Sequence, residues 1–181
     1  MNDQSDHPAI AQLGNPILRA EAEPIHDLRD TRVQALIDQL LTTVQQANGV
    51  GLAAPQLSEP YRVLVIASRP SPRYPDAPEM APIALINPRL VAHSEERVTD
   101  WEGCLSVPGI RGRVPRYESV TVEYTDRAGK LQHQEFTGFV ARIFQHEYDH
   151  LHGLVFLDRV ENTHDLMTEP EYQRQVLHCA A

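Results

Sequence analysis

The segment TGFVARIFQHEYDHLHG, residues 137–153, constrains the fold more than any other part of the chain. Thr137 can cap the start of a helix and Gly153 can end it. Val140, Ile143 and Phe144 open an apolar face, and helical steps carry that face on to Glu147, His150, Leu151 and Leu154. A helix that turns a glutamate and a histidine inward belongs where the surrounding fold can satisfy buried polar groups. It is therefore expected at the centre of the molecule. His152 falls off the inward face and reads as solvated.

The remaining segments supply the material to surround it. Val33, Leu36, Ile37, Leu40, Leu41 and Val44 recur with helical spacing, with Asp30 or Thr31 as a cap and Asn48-Gly49 as a stop. RVLVIA (62–67) has the character of a short buried strand. Five prolines make 68–82 an irregular surface loop. IALINPRLVA (83–92) reads as strand, turn, strand. SVTVEYTD (119–126) and LQHQEF (131–136) flank a RAGK turn as a hairpin, and EPEYQRQVL near the end reads as a short helix. This pattern predicts an α+β fold, with mostly antiparallel sheets around the central helix and an amphipathic helix near the N-terminus. Residues 1–9 read as a polar tail, with one domain following.

Composition narrows the function. The net charge of −9 gives no basic face for nucleic acid, so no direct nucleic-acid binding is expected. No apolar run approaches the roughly 20 residues of a membrane span. The opening MNDQSDHPAI lacks a charged-then-apolar signal pattern, so the expected location is the cytoplasm. There the two cysteines, Cys104 and Cys179, are expected to be reduced.

Histidines four apart on a helix share a face and can bind one metal ion, which His146 and His150 would do here. Glu147, beside them, reaches a metal-bound water without being a ligand. This is the His-Glu-x-x-His logic of metal hydrolysis. The bland alternative is a polar patch on an ordinary helix, which would leave these groups costly to bury. A catalytic site needs a third protein ligand. The metzincin pattern fails because Phe156 stands where its last histidine would be. Glu169 or Glu171 would complete a thermolysin-like peptidase, and Cys104, in WEGCLSVPG, would supply a thiolate. Gly103 and a Pro108-Gly109 turn would put Cys104 in a tight loop.

Three segments taken together resemble the peptide deformylase family. GVGLAAPQ (49–56), EGCLS (102–106) and QHEYDHLHG (145–153) occur in the family's order, and LGNPILRAEAEP (13–24) is similar to its opening. The resemblance covers about residues 10–160, read as one catalytic domain, with 161–181 an acidic extension. It implies Cys104, His146 and His150 as metal ligands and Glu147 as general base and acid. It implies Gln56, through its amide, and Leu105, through its backbone N–H, as oxyanion donors. Val50 and Gly51 would hold the substrate backbone and line its methionine pocket, with Arg111 near the cleft. The implied reaction is removal of the N-formyl group from formylmethionine on newly made polypeptides, with Fe2+ as the expected metal and Zn2+, Ni2+ or Co2+ able to replace it. An inactive metal-binding relative is the remaining alternative.

Two places depart from the family pattern. Arg142, on the helix wall of the methionine pocket, is expected to reach to the rim, and Trp101 adds an aromatic near the cleft. After Gly153 the only lysine or arginine residues are Arg159 and Arg174, outnumbered by acids, so contact with the ribosome through this tail is expected to be weak.

Overall fold

The computed structural model describes residues 9–71 and 74–177. The expected N-terminal tail, apart from Ala9, and Cys179 lie outside the described residues. The first long helix, α1 (Thr31–Gln46), forms on the predicted stripe, burying Val33, Leu36, Ile37, Leu40 and Val44. Asp30 caps it by accepting from the Arg32 N–H at 2.9 Å. Asn48 then adopts a left-handed φ of 51°, and the Gly49 N–H returns to the Val44 carbonyl at 2.9 Å.

In chain order the strands are β1 (Gly51–Ala53), β2 (Val63–Ile66), β3 (Ile83–His93), β4 (Arg97–Cys104), β5 (Val107–Tyr117), β6 (Ser119–Thr125), β7 (Leu131–Thr137) and β8 (Leu166–Thr168). They make a five-stranded sheet of order β1-β2-β3-β6-β7 and a three-stranded sheet of order β4-β5-β8. All their pairings are antiparallel, as the α+β reading expects. In β2, Val63 and Val65 join the core beneath α1, while Leu64 and Ile66 join the core beneath the second long helix, α2 (Gly138–His150). A strand covered on both faces has no polar side, which is why RVLVIA reads as an unbroken apolar run.

Two sequence readings need correction. IALINPRLVA is one strand with register shifts, not strand, turn, strand. Asn87 takes a left-handed φ of 50°, and its amide bonds both backbone groups of Ile25, accepting at 2.9 Å and donating at 2.7 Å. That bulge absorbs Pro88, which has no N–H to give a ladder. Pro108-Gly109 lies inside β5, and the turn sits at Leu105-Ser106, between the paired Cys104 and Val107.

The helix α2 packs against β1, β2, β6 and β7 of one sheet and β5 of the other. It is thus buried on nearly every side, from Ala141 to His150 with Tyr148 the exception. Thr137 occupies its N-cap position without a side-chain bond, and Gly153, at φ 69°, follows its C-terminus.

Candidate metal centre and catalytic cleft

The site forms where α2 meets the β4–β5 hairpin. Helical spacing brings His146 and His150 edge to face with ring centroids 5.3 Å apart, and the end of β4 delivers Cys104 beside them. One donor atom from each of these three residues lies within 4.8 Å of the others. All three are buried. Cys104 Sγ lies 3.3 Å from His150 Nε2 and accepts from the Ser106 N–H at 3.4 Å. Burial opposes ionisation of the thiol, but the imidazoles of His150 and His146 outweigh it and hold Cys104 well below the usual thiol range.

Glu102 fixes the second histidine. Its Oε2 lies 2.9 Å from His146 Nδ1, which leaves Nε2 of that ring for another partner. Arg116 grips the same carboxylate through Nε at 2.9 Å and Nη2 at 3.0 Å. Burial pushes the Glu102 carboxyl up, yet Arg116 and His146 keep it well below the usual carboxylate range. Arg116 continues to Asp149 at 2.6 Å, which Arg159 also holds at 2.7 Å. A chain of alternating charges thus braces the site from behind.

Glu147 points the other way. Burial pushes its carboxyl up to about 7, against the pull of the two imidazoles. Its Oε2 and His150 Nδ1 are buried side-chain atoms without a hydrogen-bond partner among the described residues. A thiol held low, two imidazoles and a carboxylate oxygen without a hydrogen-bond partner converge in one buried site. This donor set suits one divalent ion of intermediate softness, with a fourth position left open.

Beside the cluster lies an open cleft lined by Cys104, His146 and Glu147 together with Val50, Tyr74, Trp101, Phe139 and Ile143. Gln56, Gly51, Leu105 and Arg142 also line it. The Gln56 amide is fixed, its Oε1 accepting from the Ala53 N–H at 2.8 Å. Its Nε2 donates to Ser106 Oγ at 3.1 Å and approaches Cys104 Sγ at 3.5 Å.

The two arginines sit differently from expectation. Arg142 does not reach to the rim. It is buried, bonding Glu102 at 2.9 Å and the carbonyls of Val114 and Val98 at 2.8 and 2.6 Å, so its charge ties strands together. Arg111 is fully buried one layer behind the cleft, donating to Glu169 at 2.6 and 3.1 Å. That pairing occupies Glu169, and Glu171 is paired with Arg174. Neither completes a histidine-carboxylate metal site, so the thermolysin-like reading is not supported. His152 is only partly exposed, lying 3.4 Å from Arg62.

Sequence reasoning assigned no role to Glu102, Tyr74 or Phe139. Glu102 was visible as an acid beside the cysteine. Tyr74 left no signal, since it comes from the proline-rich loop.

A family model described as polypeptide deformylase matches residues 8–165. Peptide deformylase 2 of Nostoc sp. is 59% identical over 167 residues, which cover 92% of this chain and 93% of that one. A Met-Ala-Ser-bound class I type b peptide deformylase from Acinetobacter baumannii superposes with a TM-score of 0.82 at 44% identity, covering 83% of this chain and 96% of that one. A peptide deformylase from Synechococcus elongatus, in complex with actinonin, gives 0.79 at 36% identity, covering 91% and 85%. The chain belongs to the polypeptide deformylase family and is a metal-dependent enzyme that removes N-formyl groups.

Proposed function

We propose that the cleft takes the N-formylmethionine end of newly made polypeptides, with Cys104, His146 and His150 holding one metal ion. The observation that carries this reading is the pairing of that buried ligand set with Glu147, whose Oε2 has no other partner, at the end of a largely apolar cleft. A dication held there supplies Lewis acidity, making water ionise near neutral pH and polarising a carbonyl. Glu147 Oε2 takes the proton from the attacking water and returns it to the departing amine. Burial raises the affinity of the Glu147 carboxyl for that proton.

Gln56 Nε2 and the Leu105 N–H are the proposed donors to the developing oxyanion. The Gln56 hydrogen aimed at Cys104 Sγ is the one free to turn to it, because its contact is the longer of the two. Gly51 and Val50 would run beside the substrate backbone, with Ile143 and Phe139 around the methionine side chain. Arg142 and Arg111 support the walls through their protein partners.

Fe2+ is the proposed metal in the cell, a thiolate with two imidazoles also accepting Zn2+, Ni2+ or Co2+. No helix among the described residues is long and apolar enough to cross a membrane, and the cytoplasm is the proposed location. Contact with the ribosome through residues 161–181 is proposed to be weak, given the scarcity of basic side chains there.

The test is formate release from formyl-Met-Ala-Ser by protein prepared without oxygen and loaded with Fe2+ or Ni2+, beside a Glu147→Ala variant. Wild type should release formate, and the variant should lose about 10²–10⁴-fold in rate while keeping its metal. No release by the loaded wild type would exclude this substrate, and an undiminished rate in the variant would exclude Glu147 as the base.

A further inference from the structure

We propose that Glu169 is a positioning residue for the substrate cleft. Acting through Arg111 and alongside Tyr172, it holds the aromatic rim formed by Tyr74 and Trp101. The inference rests on the cleft being the substrate site proposed above.

The rim is built from two unrelated pieces of chain. Tyr74 comes from the proline-rich loop and Trp101 from β4, and both line the cleft. Tyr74 also meets Phe139 of the opposite wall, with ring centroids 5.3 Å apart. Behind the rim, the guanidinium of Arg111 donates to the Tyr74 hydroxyl at 3.1 Å and lies 5.3 Å from its ring. On its other side the same guanidinium lies 4.7 Å from the Tyr172 ring, and Tyr172 meets Trp101 at 5.5 Å in an edge-on contact. Glu169 closes the assembly with two bonds to Arg111, at 2.6 and 3.1 Å.

The physical argument turns on charge. Arg111 is fully buried, whereas the Glu169 side chain keeps 24% of its exposure. A buried guanidinium is stable in place only with its carboxylate, and the fork-to-carboxylate geometry fixes its orientation as well as its charge. Neutralising Glu169 leaves Arg111 without that restraint. The guanidinium then shifts toward solvent and releases both aromatic faces it separates. The third strand of the small sheet, β8, runs directly into Glu169, since Thr168 pairs with Ile110 beside Arg111. The C-terminal segment thus reaches the cleft without lining it. Its effect should fall on substrate capture and not on proton transfer, because among the described residues its hydrogen bonds run to Arg111 and Gln173 and not to Glu147, Gln56 or the ligand set.

Trp101 is the only tryptophan in the chain, so its emission reports the rim directly. The experiment compares metal-loaded wild type, Glu169→Gln and Glu169→Asp in formate release from formyl-Met-Ala-Ser and in Trp101 emission. Glu169→Gln should raise KM by about fivefold or more with kcat within about twofold, and should shift Trp101 emission. Glu169→Asp, which keeps the charge, should recover part of both changes. An unchanged KM in Glu169→Gln overturns the proposal. So does a fall in kcat matching any change in KM, which would mark a general loosening of the fold. If wild type itself releases no formate, the substrate assignment fails separately, and the brace stands or falls on the Trp101 shift alone.

Discussion

A methyl group on Gly51 would lie 2.6 Å from Glu147 Oε1 and 2.7 Å from both Glu147 Cγ and Ile143 Cγ2. The sequence reading gave this glycine to the substrate, as a place where backbone can come close. In the structure its missing side chain also makes the room in which the proposed base stands. The neighbours it would strike are side chains, so Gly51→Ala should fold, with Glu147 displaced. A shift of that size at a reacting group is expected to lower kcat by about 10²-fold, while overpacking costs about 1–3 kcal/mol of stability. Metal content should stay at the wild-type level, because neither histidine nor Cys104 is touched. Single-turnover formate release, metal analysis and a denaturant melt on one preparation check the three parts. A variant with normal turnover would mean that Glu147 has space the structure does not give it. The contact between Gly51 and Glu147 joins distant segments, and no local pattern in GVGLAAPQ encodes it.

At the scale of elements, legibility followed how local each signal was. The helix α1 and the β6–β7 hairpin were readable because their periodicity and caps lie within a few residues. The β4–β5 hairpin was missed. Its strands carry glycine, proline and many exposed side chains, and what holds them is pairing with each other and with distant β8. The central place of α2 was read correctly, but the burial of Arg142 and Asp149 on it was missed for a related reason. Hydrophobicity counts Arg142 and Asp149 as solvent-facing, and only their partners, Glu102, Arg116 and Arg159, show why they can be inside. The partner set also predicts the consequence of breaking it. Arg116→Leu takes the bidentate partner from Glu102, leaving it Arg142 and His146, and leaves Asp149 only Arg159, which should cost about 3–5 kcal/mol in a buried site. Glu102→Leu combined with Arg116→Leu removes the under-compensated carboxylate, leaves Arg142 its backbone carbonyl acceptors, and should be less destabilised than Arg116→Leu alone. Denaturant midpoints of the three proteins give the coupling directly. A double variant worse than the single would show that Glu102 contributes through packing and not through charge.

For the whole molecule, the proposed ligand set would add one more link between parts that buried ion pairs already join, Arg142 to Glu102 and Arg116 to Asp149. Cys104 ends a strand of the small sheet, whereas His146 and His150 ride on the helix seated against the large one. A metal ion held by all three would therefore fasten α2 to the small sheet at the cleft. Anything that binds only the folded state stabilises it in proportion to its saturation. At a free metal concentration about 100 times the dissociation constant this amounts to about 2.7 kcal/mol. For a chain of 181 residues that corresponds to about 5–10 °C in the melting temperature. Chelation should lower the melting temperature of wild type by that amount. Cys104→Ala should start lower and respond less to chelator, because two histidines alone do not join α2 to the small sheet. The comparison separates the cross-link from ordinary ligand binding. If Cys104→Ala loses as much on chelation as wild type, the metal stabilises α2 locally and the two parts are held by packing and the buried ion pairs. If only wild type responds, the same three residues that set up the chemistry also close the fold around it.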